Sequence, residues 1–302
     1  MTAQPANPAQ PLIDHQPTQD FFIGIDSDGC AFDTMELKHK ECFIPNTIQY
    51  FGLQAVAKYA REAAEFVNLY SQWRGINRFP AATMTLDLLE DRPEVLARHA
   101  RIPRMEALRE WLTQEKSPSN PTLEAAIKAS NGEAARQLQQ VLDWSHAVNA
   151  AIEDMVEGVS PFPWVRESLE KASAEADLIV VSATPGEALE REWAEHDLTR
   201  FVAVIAGQEM GTKTEHLKLA SGAKYHSDKV LMIGDAPGDL KAARANHVLF
   251  YPIMPGYEDA SWKRFHDESL DLFLTGGYKG AYEDALIEEF LASLPNVPPW
   301  KK

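Results

Sequence analysis

Five short apolar runs, at residues 21–25, 178–181, 202–206, 230–233 and 248–251, constrain this chain more than any other feature. Each is too short for a helix. Each is continuous rather than alternating and ends in polar or glycine residues, the pattern of a strand buried on both faces of a parallel sheet. Helical stretches at 165–174, 188–195, 215–220 and 239–245 accompany the later runs. Strand alternating with helix predicts an α/β fold with a Rossmann-like, doubly wound parallel sheet.

One interval breaks the alternation. Roughly 150 residues separate the first run from the second, and they read as helical throughout. Apolar residues recur at helical spacing over 48–70 (Val56, Tyr59, Ala63, Phe66, Val67, Tyr70) and over 133–156 (Leu138, Val141, Leu142, Val148, Ile152). Gly158 is a natural stop for the second of these. Shorter helices are expected at 81–90, 93–99, 104–113 and 122–130. The expected organisation is a disordered tail at 1–19, an α/β core at 20–34 and 160–302, and an all-α insert at 35–159. Two further helices, around 261–273 and 282–294, are expected to pack on the core.

Composition limits the function classes. The chain has 302 residues, 45% hydrophobic and 25% charged, an ordinary globular balance. Its formal net charge of −16 disfavours nucleic acid and anionic membranes as partners. Cys30 and Cys42 match no zinc spacing and read as reduced thiols. The Pro-, Gln- and Ala-rich beginning lacks the basic start and apolar run of a signal peptide. No apolar stretch is long enough to span a bilayer. These features give the expectation of a cytoplasmic protein, monomeric or homodimeric.

In a parallel sheet, ligands bind at the carboxyl ends of the strands, so the residues just past each run are the ones that count. The first is followed by Asp26-Ser27-Asp28-Gly29, the second by Ser182-Ala183-Thr184, the third by Gly207 and then Gly211-Thr212-Lys213, and the fourth by Gly234-Asp235-Ala236-Pro237-Gly238-Asp239. Four carboxylates, a hydroxyl and an ammonium converge. Hard oxygen donors suit Mg²⁺. A hydroxyl and an ammonium can hold phosphate oxygens, and a carboxylate is a competent nucleophile for phosphoryl transfer.

This ordered set resembles the haloacid dehalogenase superfamily. The resemblance rests on Asp26-x-Asp28-Gly29, Ser182, Lys213 and Gly234-Asp235-x-x-x-Asp239, each at an expected strand end and in the family's order, and it covers about half the chain. It implies that Asp26 attacks phosphorus and that Asp28 serves as general acid and base. It implies that Mg²⁺ is held by Asp26, the Asp28 backbone carbonyl and Asp235, with Asp239 ligating through water or orienting Lys213. Ser182 and Ala183, with Lys213, would cradle the phosphate. An acid at position 28 separates phosphatases and phosphomutases of that superfamily from its dehalogenases. A helical insert directly after the first motif resembles the C1 cap that closes over a small phosphorylated metabolite.

Each motif also has a structural alternative. Asp26 and Asp28 suit a turn, Ser182 a helix N-cap, and Asp235 and Asp239 a loop and a cap. Lys218 rivals Lys213, although it falls inside an expected helix. Within the insert, Arg74, Asn77 and Arg78 lie in a polar segment and could grip an anionic substrate, or could pair with Asp87 or Glu90. Lys38 and His39 stand at the entry to the insert and could reach the site. The sugar phosphomutases of the family carry a histidine twelve positions after the nucleophile. Here that position is Lys38, with His39 one later, which favours a phosphohydrolase over a mutase. A non-catalytic phosphate-binding regulator is the reading from a different class.

Overall fold

The computed structural model describes residues 7–301. The chain divides into two compact units: one takes the chain up to Met35 together with Gly158–Leu294, the other takes Glu36–Glu157 together with the residues from Pro295 on.

The first unit is built on five strands, β1 (Phe21–Ile25), β2 (Ala176–Val181), β3 (Val204–Ala206), β4 (Val230–Gly234) and β5 (Leu249–Pro252). They form one sheet in the order β3-β2-β1-β4-β5, with every neighbouring pair parallel. The winding direction changes between β1 and β4, which makes their carboxyl ends the expected crevice for a ligand. Side chains alternate across the sheet because the strand period is two. Ile23, Ile25, Leu178, Val180, Leu231 and Ile233 pack with the helices Val165–Ser173 and Gly186–Glu195. Phe22, Ile179, Val181, Val230 and Met232 pack with the helices Lys213–Ser221 and Pro237–Ala245. Both faces are covered, so the apolar runs are continuous.

Strand β2 starts at Ala176, two residues before the apolar run, and so includes a charged residue. Asp177 is buried there because its carboxylate accepts hydrogen bonds from the backbone amides of Thr18 (2.8 Å) and Gln19 (2.9 Å) and from the Tyr225 hydroxyl (2.7 Å). The same contacts correct the expectation of a disordered tail over 1–19. Residues 10–14 form a short helix with Leu12 fully buried, and Lys224 donates to the carbonyls of Leu12 and Ile13, both at 3.0 Å. Local composition could not reveal this, because all the groups that order the segment come from far along the chain. Positions 1–6 lie outside the described residues.

The second unit is helical, with a core that includes Leu53, Leu86, Leu108, Val141 and Trp144. The run expected as one helix over 48–70 is two, Ile44–Tyr50 and Ala57–Asn68. Gly52, at a φ of +68°, reverses the chain between them, a conformation that costs other residues strain. The expected 133–156 helix spans Gly132–Met155.

The last residues depart from the expectation that the core runs to the end of the chain. From Pro295 they belong to the helical unit. The Pro295 carbonyl accepts from the Gln72 amide at 3.4 Å, and Lys301 pairs with Asp91 at 2.9 Å. Trp300 packs edge-on against Phe66, with ring centroids 5.8 Å apart. Its ring also lies 4.3 Å from the Arg92 guanidinium, which lies 4.6 Å from the Tyr59 ring. A buried guanidinium close to aromatic rings gains electrostatically from each. Trp300→Ala is expected to lower the unfolding free energy by about 1–3 kcal/mol, read by chemical denaturation; an unchanged midpoint would show that the terminal segment adds nothing to the helical unit.

Candidate active site

The parallel register brings the strand-end residues level with one another. Ile25 pairs with Val180 on one side and Ile233 on the other, so Asp26 emerges beside Val181 and Gly234. The Asp26 amide donates to the Ile233 carbonyl at 3.0 Å, continuing the ladder by one residue. Its carboxylate is held at both oxygens. Oδ1 accepts from the Ser27 amide at 2.8 Å, and Oδ2 accepts from Lys213 Nζ at 2.5 Å.

Lys213 opens the helix Lys213–Ser221, which is started by a capping box between Thr212 and Glu215. Its ammonium bridges Asp26 and Asp239, with Asp239 Oδ1 at 2.6 Å. The other Asp239 oxygen accepts from the Ala236 amide at 3.0 Å, at the start of the helix Pro237–Ala245. Gly234 makes this possible. A Cβ placed there would lie 2.4 Å from the Asp239 side chain, so the carboxylate occupies the space that any other residue would fill. Asp235, next to that glycine, is 1% exposed. Ligand atoms of Asp26, Asp235 and Asp239 all lie within 4.8 Å of one another. Lys218, the rival cation, plays no part in these contacts; Lys213 does.

Three buried carboxylates against one ammonium are an unbalanced set. Burial pushes the Asp26 carboxyl well above its ordinary value of 3.8; Lys213 pulls it down, and Asp239 and Asp235 push it up again. For Lys213 burial acts downward, yet the charges of Asp239 and Asp26 more than offset it and hold the ammonium above its ordinary value. His216, fully buried on the same helix, is driven down to about 4, first by burial and next by Lys213, so it supplies no second cation at neutral pH. The cluster has the donor chemistry of a hard divalent cation site: oxygen ligands, excess negative charge and little competing nitrogen or sulfur.

Asp28 is placed differently. Its two carboxylate oxygens accept hydroxyl hydrogen bonds, one from Thr34 and the other from Thr184 at 2.6 Å. Its carboxylate is not among the clustered ligands. Ser182 is buried at the end of β2. Its amide donates to Ala206 at 3.0 Å and its hydroxyl accepts from the Thr184 amide at 3.2 Å, with Ala183 exposed between them. Sequence reasoning missed both threonines. Thr184 could have been noticed for its place two residues after Ser182, but nothing in the spacing of Thr34 connects it to Asp28.

The residues nominated inside the helical unit have partners there. Arg74 is buried and donates to the Leu69 carbonyl at 3.0 Å. Asn77 caps the helix Arg78–Glu90, accepting from the Phe79 amide at 3.0 Å and donating to the Pro118 carbonyl at 2.8 Å. Arg78 donates to Ser145 and, at 2.6 Å, to Asn149, and lies 5.0 Å from the Phe43 ring. The expected acids pair elsewhere, Asp87 with Arg109 and Glu90 with Arg104. Arg74 is thus engaged with the backbone of its own unit, and Asn77 serves as a helix cap. Lys38 and His39 lie in the π-helical segment Lys38–Phe43, where His39 stacks on Phe43 with centroids 4.7 Å apart.

A doubly wound sheet whose switch point carries clustered aspartates bridged by a lysine belongs to the class of α/β folds that place polar ligand-binding groups at strand ends. Within that class, residues 105–251 match the family described as haloacid dehalogenase-like hydrolase. The match covers 147 of the 302 residues, just under half of the chain. The matched stretch includes Ser182, Lys213, Asp235 and Asp239, and Asp26 and Asp28 precede it. Similar solved structures include a putative phosphoglycolate phosphatase from Lactobacillus delbrueckii subsp. bulgaricus (16% identity, TM-score 0.46, covering 83% of this chain and 92% of that one). Others are a haloacid dehalogenase-like family hydrolase from Xanthomonas campestris (12%, 0.45, 89% and 98%) and one from Streptococcus pneumoniae (14%, 0.44, 83% and 93%). No curated protein matches the chain.

Two outcomes follow from the geometry. Burial raises the folded-state value of Asp26, so its favourable contribution is complete below the ordinary 3.8 and is lost as pH rises through the raised value. With chelator present at pH 7.5, Asp26→Asn is therefore expected to unfold at a higher temperature than wild type, and the difference should shrink as the pH approaches 4; a lower midpoint at pH 7.5 would contradict this. Gly234→Ala is expected to cost about 1–3 kcal/mol by driving Asp239 from its place, and a denaturation curve superimposing on wild type would show that the carboxylate has room to move.

Proposed function

We propose that this chain is a phosphohydrolase that removes phosphate from a small phosphorylated metabolite through an aspartyl-phosphate on Asp26. The observation that carries the reading is the Lys213 ammonium spanning Asp26 and Asp239 beside Asp235, with the Asp28 carboxylate two residues away and outside that cluster.

Asp26, Asp235 and Asp239 would hold Mg²⁺, together with the Asp28 backbone carbonyl that the family resemblance implies. The bound ion would neutralise phosphoryl charge and favour the ionised form of Asp26. The remaining roles belong to the chain. The Ser27 amide and Lys213 orient Asp26 so that one oxygen attacks phosphorus as the ester P–O bond breaks. Asp28 gives its proton to the departing oxygen. Asp28 then takes a proton from water, whose oxygen attacks the phosphorus of the intermediate; the P–O bond to Asp26 breaks, and the carboxylate is regenerated. The hydroxyls of Thr34 and Thr184 hold Asp28 during both transfers. Ser182 and Lys213 offer a donor and a charge to the phosphoryl oxygens.

Assays with a generic aryl phosphate and a set of phosphorylated metabolites test the proposal. Wild type should turn over only with Mg²⁺, Asp26→Asn should lose all measurable activity, and Asp28→Asn should lose about 10²–10⁴-fold. Mg²⁺ should raise the thermal midpoint of wild type and have little effect on Asp235→Asn. Phosphate release only in the presence of a sugar bisphosphate would point to a mutase. Absence of turnover with every phosphoester would sink the hydrolase reading.

A further inference from the structure

Between the two aspartates stands Ser27, a fully buried polar residue that the chemistry above uses only for its amide. Every polar atom of Ser27 is engaged. Its amide donates to Asp26 Oδ1 at 2.8 Å. Its carbonyl accepts from the amides of Cys30 (3.2 Å), Ala31 (2.9 Å) and Phe32 (3.0 Å), which folds the segment after the first motif into a tight turn. Its hydroxyl accepts from the indole N–H of Trp193 at 3.0 Å and donates to Glu192 Oε2 at 3.0 Å. Trp193 is itself fully buried, and its ring meets Phe32 edge-on with centroids 5.8 Å apart.

Glu192 and Trp193 both belong to the helix Gly186–Glu195, which follows Ser182-Ala183-Thr184 directly. That stretch therefore grips the first motif twice. Thr184 holds Asp28 from the start of the stretch, and the Glu192–Trp193 pair holds Ser27 two turns further along. Packing alone would be served by an apolar residue at position 27. A buried hydroxyl bonded on both sides costs more to desolvate and specifies one orientation instead.

We propose that Trp193 and Ser27 are positioning residues for the nucleophile: the indole N–H, acting through the Ser27 hydroxyl, fixes the Ser27 amide that aims Asp26. This rests on the reading of Asp26 as nucleophile. The direction of donation runs from Trp193 to Ser27 to Glu192, so the hydroxyl hydrogen is committed to the carboxylate and its lone pair to the indole. The hydroxyl bonds hold the Ser27 side chain and the turn bonds from Cys30, Ala31 and Phe32 hold its carbonyl, so the residue is fixed on two sides next to the amide that meets Asp26. Helix Gly186–Glu195 thereby sets the angle between the phosphate-binding loop and the attacking oxygen.

The test uses the full chain as Ser27→Ala, Trp193→Phe and the double variant, assayed with an aryl phosphate and Mg²⁺. Phenylalanine keeps a ring against Phe32 and removes the donor together with part of the buried indole, while Ser27→Ala removes the acceptor with little change in volume. Each single variant should lower kcat about tenfold, because misalignment of a nucleophile by a fraction of an ångström has effects of this order. KM should stay within about twofold, since ground-state binding is untouched. The double variant should be no slower than the slower single, because both remove the same hydrogen bond. Amide hydrogen exchange at Cys30, Ala31 and Phe32 should quicken in all three. Wild-type kcat in both single variants would overturn the proposal, and so would losses that multiply in the double variant. If wild type hydrolyses no phosphoester, the function reading fails by itself; the exchange rates then decide, with unchanged rates at the three amides overturning the positioning role and faster rates sustaining it. Should Trp193→Phe fail to fold, Ser27→Ala carries the same readouts.

Discussion

One ammonium holds the site together. Lys213 lies 2.5 Å from Asp26 and 2.6 Å from Asp239, and without it three carboxylates with ligand atoms inside 4.8 Å would face one another in a nearly dry crevice. Much of the α/β unit can be read as support for that contact. Strand β1 ends where Asp26 must emerge, β4 ends in the glycine whose missing side chain admits Asp239, and a capped helix starts at Lys213 itself. Burial strengthens the attraction and also makes the excess negative charge expensive. That tension leaves the crevice suited to an additional hard cation, and it is built from the same residues that would handle phosphate.

The two aspartates of the first motif live in different environments although one residue separates them. Asp26 is held among charges, and burial keeps its carboxyl well above the ordinary range. Asp28 accepts from the hydroxyls of Thr34 and Thr184. On the proposed reading, these unlike environments would divide labour between a nucleophile and a proton carrier. The helix Gly186–Glu195 and the loop before it hold both sides of the motif, since Thr184 reaches Asp28 while Trp193 and Glu192 reach Ser27.

Much of this was legible in the chain. The five strands were visible as apolar runs because a parallel sheet covered on both faces leaves no exposed side to alternate. The convergence of Asp26, Asp235, Asp239 and Lys213 was legible because neighbouring strands of such a sheet end side by side. Errors arose where order depends on partners distant in sequence. The segment at 10–20 looks disordered until Asp177, Lys224 and Tyr225 supply its bonds, and the last residues look like core until Trp300 is seen against Arg92 and Phe66. The partners of Arg74 and Asn77 were not legible either, because local sequence cannot distinguish a buried or capping polar side chain from a reaching one.

The sequence by itself determined the fold class and the order of Asp26, Asp28, Ser182, Lys213, Asp235 and Asp239, since hydrophobic period and strand-end chemistry are local properties. Only the tertiary structure decided that Lys213 rather than Lys218 bridges the aspartates, that Thr34 and Thr184 hold Asp28, and that Ser27 answers to Trp193. Those choices depend on hydrogen bonds between residues as far apart as Ser27 and Trp193, and no periodicity along the chain encodes a distance of 3.0 Å across the fold.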